Sequence, residues 1–296
     1  MTARVAGALA LGVLAVSWAA IFVRLADAPA LTIAAWRLCL AGAIVLPYAW
    51  LRHGGELRAT TGRTRLFLLG SGVALALHFG TWISSLKLTS VASSVALVTT
   101  TPVFVALLSS VLLKEKARRL TLAAMAIAIC GSVLIAGADF GLDARALQGD
   151  ALALAGAVFG AVYLTIGRHA RSSVGLVPYI GAVYPIAGLC LLAAAGVSGG
   201  PIVVFDAKTW LLFAALALIP QLLGHTLFNW ALKHTSAGLV AIAILGEPVF
   251  STLLAIPILD ETPGWTRTLG SVIVLSGVGL AAWSESRQAP KVALSG

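Results

Sequence analysis

Apolar residues in this chain fall into long blocks separated by short polar gaps. Ten blocks stand out, at 5–23, 31–51, 66–86, 91–113, 120–138, 150–167, 175–197, 209–231, 237–259 and 268–285. A helix needs about 20 apolar residues to cross the hydrocarbon core of a bilayer. The pattern therefore predicts an all-α integral membrane protein with ten transmembrane helices. The spans and their short connections use almost the whole chain and leave no room for a soluble catalytic domain.

Polar residues inside the blocks are few. In "PQLLGHTLFNW" (220–230), Gln221, His225 and Asn229 recur every four residues, so on a helix they share a face. Polar groups in a bilayer are costly unless they face protein or water. The stripe either lines a central cavity or bonds one helix to another; three groups in register favour the cavity. His78 and Trp82 form a second i, i+4 pair, with His78 the deeper of the two. Trp82 is open to two readings, pocket wall or interfacial belt. Trp18 (beside Ser17), Tyr163, and Tyr184 (beside Pro185) are each open to pocket wall or packing. Gly156 and Gly160 have the spacing of a close helix–helix contact.

The blocks also repeat. "LKLTS" at 86–90 matches "LKHTS" at 232–236, and at the same offset of 146 "TPVF" at 101–104 meets "EPVF" at 247–250, Glu115 meets Glu261 and Gly131 meets Gly277. The chain thus reads as two five-helix units, 1–145 and 146–296, forming one domain. Five is odd, so the copies cross the membrane in opposite directions. Inverted repeats are the mark of secondary transporters, whose halves rock about a site near the midplane; a duplication that merely built a stable bundle is the alternative. Gly224 is the repeat equivalent of His78 and precedes His225, which places both histidines at similar depth.

Pro102 and Pro248 occupy matching positions, and each removes the hydrogen bond to the carbonyl four residues earlier, Val98 or Ile244. Thr99, Thr100 and Thr101 precede one proline, and Gly246–Glu247 the other. Loose backbone at matching sites in both halves points to a binding site, and a structural kink is compatible with it. Glu247 is the one acid placed well inside a span. It is open to carrying a coupling proton, pairing with Arg37, or binding a substrate amine. Arg37, early in the second block, is expected to snorkel to the outer interface.

Composition supports this picture: 59% of residues are hydrophobic, 10% are charged, and the net charge is +9. The basic residues sit in the gaps, not on one amphipathic surface, which argues against nucleic acid. With the N-terminus in the cytoplasm, 14 Lys and Arg fall in cytoplasmic segments, such as Lys114, Lys116, Arg118 and Arg119, and 5 on the other side. The first block has the look of a signal peptide, but it belongs to the repeat and is expected to stay. Cys39, Cys130 and Cys190 lie in apolar blocks and read as packing residues. No motif for a metal or nucleotide occurs, so no cofactor is expected.

The ten spans, the two five-helix copies, the segments "TPVF…LLKEK" and "EPVF…LDET", and the glycine-rich "GSVIVLSGVGL" resemble the drug/metabolite transporter superfamily, specifically its EamA-type exporters. The likeness extends over essentially the whole chain and includes the branch of aromatic amino acid exporters. It implies export of small metabolites, amino acids among them, through a large central cavity lined from both halves. Glu247–Pro248 corresponds to the family's EP motif, whereas Thr101–Pro102 departs from it in the first copy.

The expected protein is an inner-membrane exporter working by alternating access on a small polar or amphipathic metabolite, with amino acids first. His78, Gln221, His225 and Asn229 would bond the polar end of the substrate, with Thr99 and Thr100 nearby. Trp18, Trp82 and Tyr163 would contact an apolar side chain. The expected partners are a small molecule and the bilayer, with no nucleic acid, and a monomer or dimer as the assembly. A multidrug exporter, a membrane-embedded metal enzyme, a receptor or scaffold, and a channel are the rival readings.

Overall fold

Hydrocarbon offers no partner for backbone N–H and C=O groups, so a spanning chain must satisfy them within itself. The computed structural model, which describes residues 2–108, 119–137 and 144–260 together with 264–266, 268–270, 272–273, 276–277 and 280, is helical in every described regular element. The helices are α1 (Ala3–Leu25), α2 (Ala30–Arg58), α3 (Gly62–Ser85), α4 (Val91–Val98), α5 (Thr101–Leu108), α6 (Arg119–Gly137), α7 (Ala144–Ala170), α8 (Leu176–Val197), α9 (Ala207–Leu216), α10 (Thr226–Ala231), α11 (Ala237–Ile244) and α12 (Glu247–Leu259). A π-helical segment, Ala217–His225, joins α9 to α10. Among the described residues, seven helical stretches are long and apolar enough to cross a membrane, and Ser93–Leu108 and Leu122–Gly131 are shorter apolar helices. Most of the block at 268–285, the basic run Lys114–Arg118, Glu115, Glu261, Asp139 and Asp143 lie outside the described residues.

Helix starts recur along the chain. α2 begins at Ala30 and α8 at Leu176, α4 at Val91 and α11 at Ala237, α5 at Thr101 and α12 at Glu247, each pair 146 residues apart. Caps recur too: Ser90 accepts from Ser93 N, and Ser236 from Leu239 N. The turns after α3 and α10 carry the same four backbone bonds: Leu86 to Trp82, Lys87 to Ser84, and Leu88 and Thr89 to Ser85 in one; Leu232 to Phe228, Lys233 to Trp230, and His234 and Thr235 to Ala231 in the other. In each turn the leucine carbonyl also accepts from an arginine, Leu86 O from Arg24 at 3.0 Å and Leu232 O from Arg168 at 2.7 Å.

Small residues set the packing. α2 lies along α8, and a Cβ at Gly181 would meet Ala49 Cβ at 2.5 Å while one at Gly188 would meet Cys39 Sγ at 2.9 Å. α3 lies along α7 at the predicted Gly156–Gly160 pair, where a Cβ at Gly156 would come within 3.3 Å of Trp82 Cβ. α1 packs on the π segment, with Gly224 against Val16, and is tied to α12 by the Ser251 hydroxyl donating to Ser17 O. The cysteine expectation needs correction. Cys39 is half-buried, but Cys130 and Cys190 are exposed on their helices and not packed inside.

Candidate functional site

The helices border a partly open cavity of about 550 Å³, the solvent space at its opening included, walled by α1, α2, α3, α4, α5, α7, α10, α11, α12 and the π segment. Half of its lining falls in pairs 146 residues apart: Phe79 with His225, Trp82 with Phe228, Val98 with Ile244, and Thr101 with Glu247. Arg37, His78, Thr99, Gly160 and Tyr163 also reach it.

The two helix breaks face this cavity. Pro102 cannot donate to Val98 O, and the Thr101 hydroxyl takes that carbonyl instead at 2.7 Å. Thr99 donates to Val95 O and Ala96 O, and Thr100 to Leu97 O. The run of three threonines thus satisfies backbone loosened by the break. Pro248 marks the second break, and Glu247, buried at the first position of α12, puts its carboxyl on the cavity wall.

The π segment contains Pro220 and ends with Thr226 N bonded to Gln221 O, five residues back. The wider turn breaks the expected i, i+4 register. His225 lines the cavity. Gln221 turns to α2, where its Oε1 accepts from Arg37 Nε at 2.9 Å. Asn229 belongs to a buried network: its Oδ1 accepts from Tyr163 OH at 2.8 Å and its Nδ2 donates to Tyr184 OH at 3.2 Å. Gln221 and Asn229 therefore stand behind the wall and bond helices together.

Arg37 does not snorkel to the interface. Its guanidinium is fully buried, with its carbon 3.9 Å from the centre of the Phe79 ring, a cation–π contact. The 201–202 loop explains the difference: Pro201 O accepts from the Thr32 hydroxyl at 3.0 Å and Ile202 O from Trp36 Nε1 at 2.7 Å, so chain folds over the start of α2. Trp36 packs edge-on to Trp210 at 4.9 Å, closing that end.

His78 Nδ1 lies 2.8 Å from Gly156 O. A carbonyl only accepts, so Nδ1 carries the proton, and Nε2 is left to accept when the ring is neutral. The ring stacks on Trp82 at 6.2 Å. Trp82 is 3% exposed and on the cavity wall, so it is not part of an interfacial belt. Trp18 is partly buried and stacks on Phe22 at 5.5 Å, away from the lining. Thr100, Pro102 and Pro248 are buried outside the lining. Phe79 and Phe228 were missed by sequence reading. Their signal was the repeat itself, since they are the partners of His225 and Trp82.

Comparison with known proteins fits this architecture. A solved crystal structure superposes with a TM-score of 0.76 over 98% of this chain and 100% of the other, at 21% identity, which shows the fold. An uncharacterized transporter of Archaeoglobus fulgidus is 25% identical over 84% of this chain and 86% of its own. The uncharacterized transporter YxxF of Bacillus subtilis is 22% identical over 82% of this chain and 78% of its own. A probable terminal-alkyne amino-acid exporter of Streptantibioticus cattleyicolor is 38% identical over 58 residues, 20% of each chain. The profile of the EamA-like transporter family matches twice, over residues 5–137 and 147–283, and the chain belongs to that family.

Proposed function

We propose that this transporter exports small metabolites, amino acids first, by alternating access of two inverted five-helix halves around the central cavity. The carrying observation is the pairing of the cavity wall: Phe79 with His225, Trp82 with Phe228 and Thr101 with Glu247 come from matching places in two copies. The recurring helix starts and the two family matches support ten spans in two units, 1–145 and 146–296. α2 and α8, equivalent in the two copies, pack along each other, as elements beside a two-fold axis do. A wall mixing histidines, a carboxyl, a guanidinium and aromatic rings suits a small amphipathic molecule better than a lipid or a bare ion. The partial likeness to an amino-acid exporter favours amino acids within that class. The lysines and arginines between spans favour an inner-membrane protein with both termini in the cytoplasm.

The test is counterflow in liposomes with labelled amino acids, comparing wild type with His225→Ala. Saturable exchange in wild type, lost in the variant, supports the reading. Exchange of other metabolites but of no amino acid moves the substrate class, and flux that neither saturates nor shows counterflow makes the protein a channel.

A further inference from the structure

Arg37 is a fully buried charge whose hydrogen-bonding capacity the described residues only partly satisfy. A guanidinium offers five N–H donors. One, at Nε, goes to Gln221 Oε1, whereas Nη1 and Nη2 have no partner and are shut off from solvent. The Phe79 ring covers one face of the group. Held at Nε and on one face, the plane is fixed, and Nη1 and Nη2 are left without a hydrogen-bond acceptor from the described residues. The indole N–H of Trp82, on the same cavity wall, also has no partner. Glu247 is the single acid of the lining, yet it forms no ion pair with Arg37 within 4 Å among the described residues. Buried charge is costly where its hydrogen-bonding groups are left unmet, and here the unmet groups belong to a residue of the cavity wall.

We infer that the fork of Arg37 binds the carboxylate of the transported molecule in bidentate fashion, while Glu247 faces its ammonium group. This rests on the exporter reading above and sharpens it: the site selects a zwitterion, not merely an amphipathic metabolite. The geometry of a planar fork matches a carboxylate through two parallel N–H···O bonds. A phosphate would fit the fork as well, but its second negative charge would face Glu247 in a low-dielectric cavity. A zwitterion brings no net charge and offsets both residues at once. Gln221 acts as a positioning residue, since it holds Nε and leaves the outer edge of the fork free.

The experiment measures thermal stabilisation of purified protein in detergent by each of the twenty L-amino acids, by acetate and succinate, and by inorganic phosphate. For each amino acid that stabilises, its carboxamide and its decarboxylated amine are compared. The expected result is at least one stabilising amino acid whose carboxamide binds about 10- to 100-fold more weakly, the loss of charge-assisted bonds. Arg37→Gln abolishes the shift, and Arg37→Lys, a point charge without a fork, falls between. Equal binding of acid and carboxamide to wild type overturns the proposal without recourse to any variant. So does unchanged binding by Arg37→Gln that elutes as a single monodisperse peak, a shift from phosphate alone, or no shift from any carboxylate. Counterflow separates the two readings. Arg37-dependent binding without counterflow leaves the anchor standing and removes the exporter, and amino-acid counterflow untouched by Arg37→Gln does the reverse.

Discussion

Phe79 and His225 stand 146 residues apart in the chain and meet edge to face, their ring centres 5.1 Å apart, on the wall of the central cavity. The same offset relates the recurring helix starts, so the contact joins two positions that correspond under it. Phe79 also carries Arg37 on its face and touches His78 at 4.8 Å. One ring thus meets His225 and supports the buried charge.

Replacing that ring separates the two roles. Phe79→Leu keeps much of the apolar volume but withdraws the π face from Arg37, a loss of about 2 kcal/mol for a desolvated cation–π pair. Phe79→Ala adds a cavity and should cost about 3–5 kcal/mol. Thermal unfolding in detergent should rank wild type, Leu and Ala in that order, and the Leu variant should lose counterflow while remaining folded. Full transport by Phe79→Leu would show that Arg37 does not need the ring.

Much of this arrangement was legible in the linear sequence, for physical reasons that differ from residue to residue. Seven long apolar helices among the described residues were readable because hydrocarbon demands continuous apolar length. The close approach of α3 and α7 was readable because Gly156 and Gly160 leave room that no other residue would. Arg37 was misread because depth was inferred from distance to the end of a block, and that inference fails where a distant segment, here Pro201–Ile202, folds over the end. Within the stripe His225 lines the cavity while Gln221 turns to Arg37, because periodicity assumes α-helical turns and the segment before His225 is π-helical. Pro220 was the available hint that this helix would not keep them.

Gly160 offers a test of how His78 is held. A Cβ there would lie 2.9 Å from His78 Nδ1, the atom bonded to Gly156 O. Gly160→Ala should force the ring aside, cost about 1–3 kcal/mol as overpacking, and impair transport. Gly7→Ala, within α1 where a Cβ meets nothing within 4 Å, is the matched control and should leave flux unchanged while adding about 0.5–1 kcal/mol of helix stability. Counterflow and thermal unfolding of the pair measure it; equal behaviour of the two would mean that α3 and α7 part easily at this point.

The network that runs from Tyr163 on the wall to Asn229 and Tyr184 behind it should matter for stability. Tyr163→Phe leaves Asn229 Oδ1 buried without its donor, a cost of about 1–3 kcal/mol. Removing both polar groups, in Tyr163→Phe with Asn229→Leu, should recover part of that loss, because no acceptor is then stranded. A double-mutant cycle by thermal unfolding gives the coupling. Additive losses would mean that the two side chains do not act together.

Asp206 supplies a pH dependence outside the membrane-spanning segments. Its Oδ1 accepts from Thr209 N at 2.8 Å and caps α9, and the bonds from Thr209, side chain and backbone, hold its carboxyl below the usual carboxylate range. A group whose pKa is lower in the folded state stabilises the fold at pH above its unfolded value, and that contribution is lost as pH falls through the folded value. Wild type should therefore exceed Asp206→Ala in Tm at neutral pH, with the gap closing on acidification through the carboxylate range. Asparagine caps without titrating, so Asp206→Asn should hold a gap over Ala that does not change across the same pH series. A wild-type gap that stayed constant with pH would mean that the cap at α9 owes nothing to the charge of Asp206.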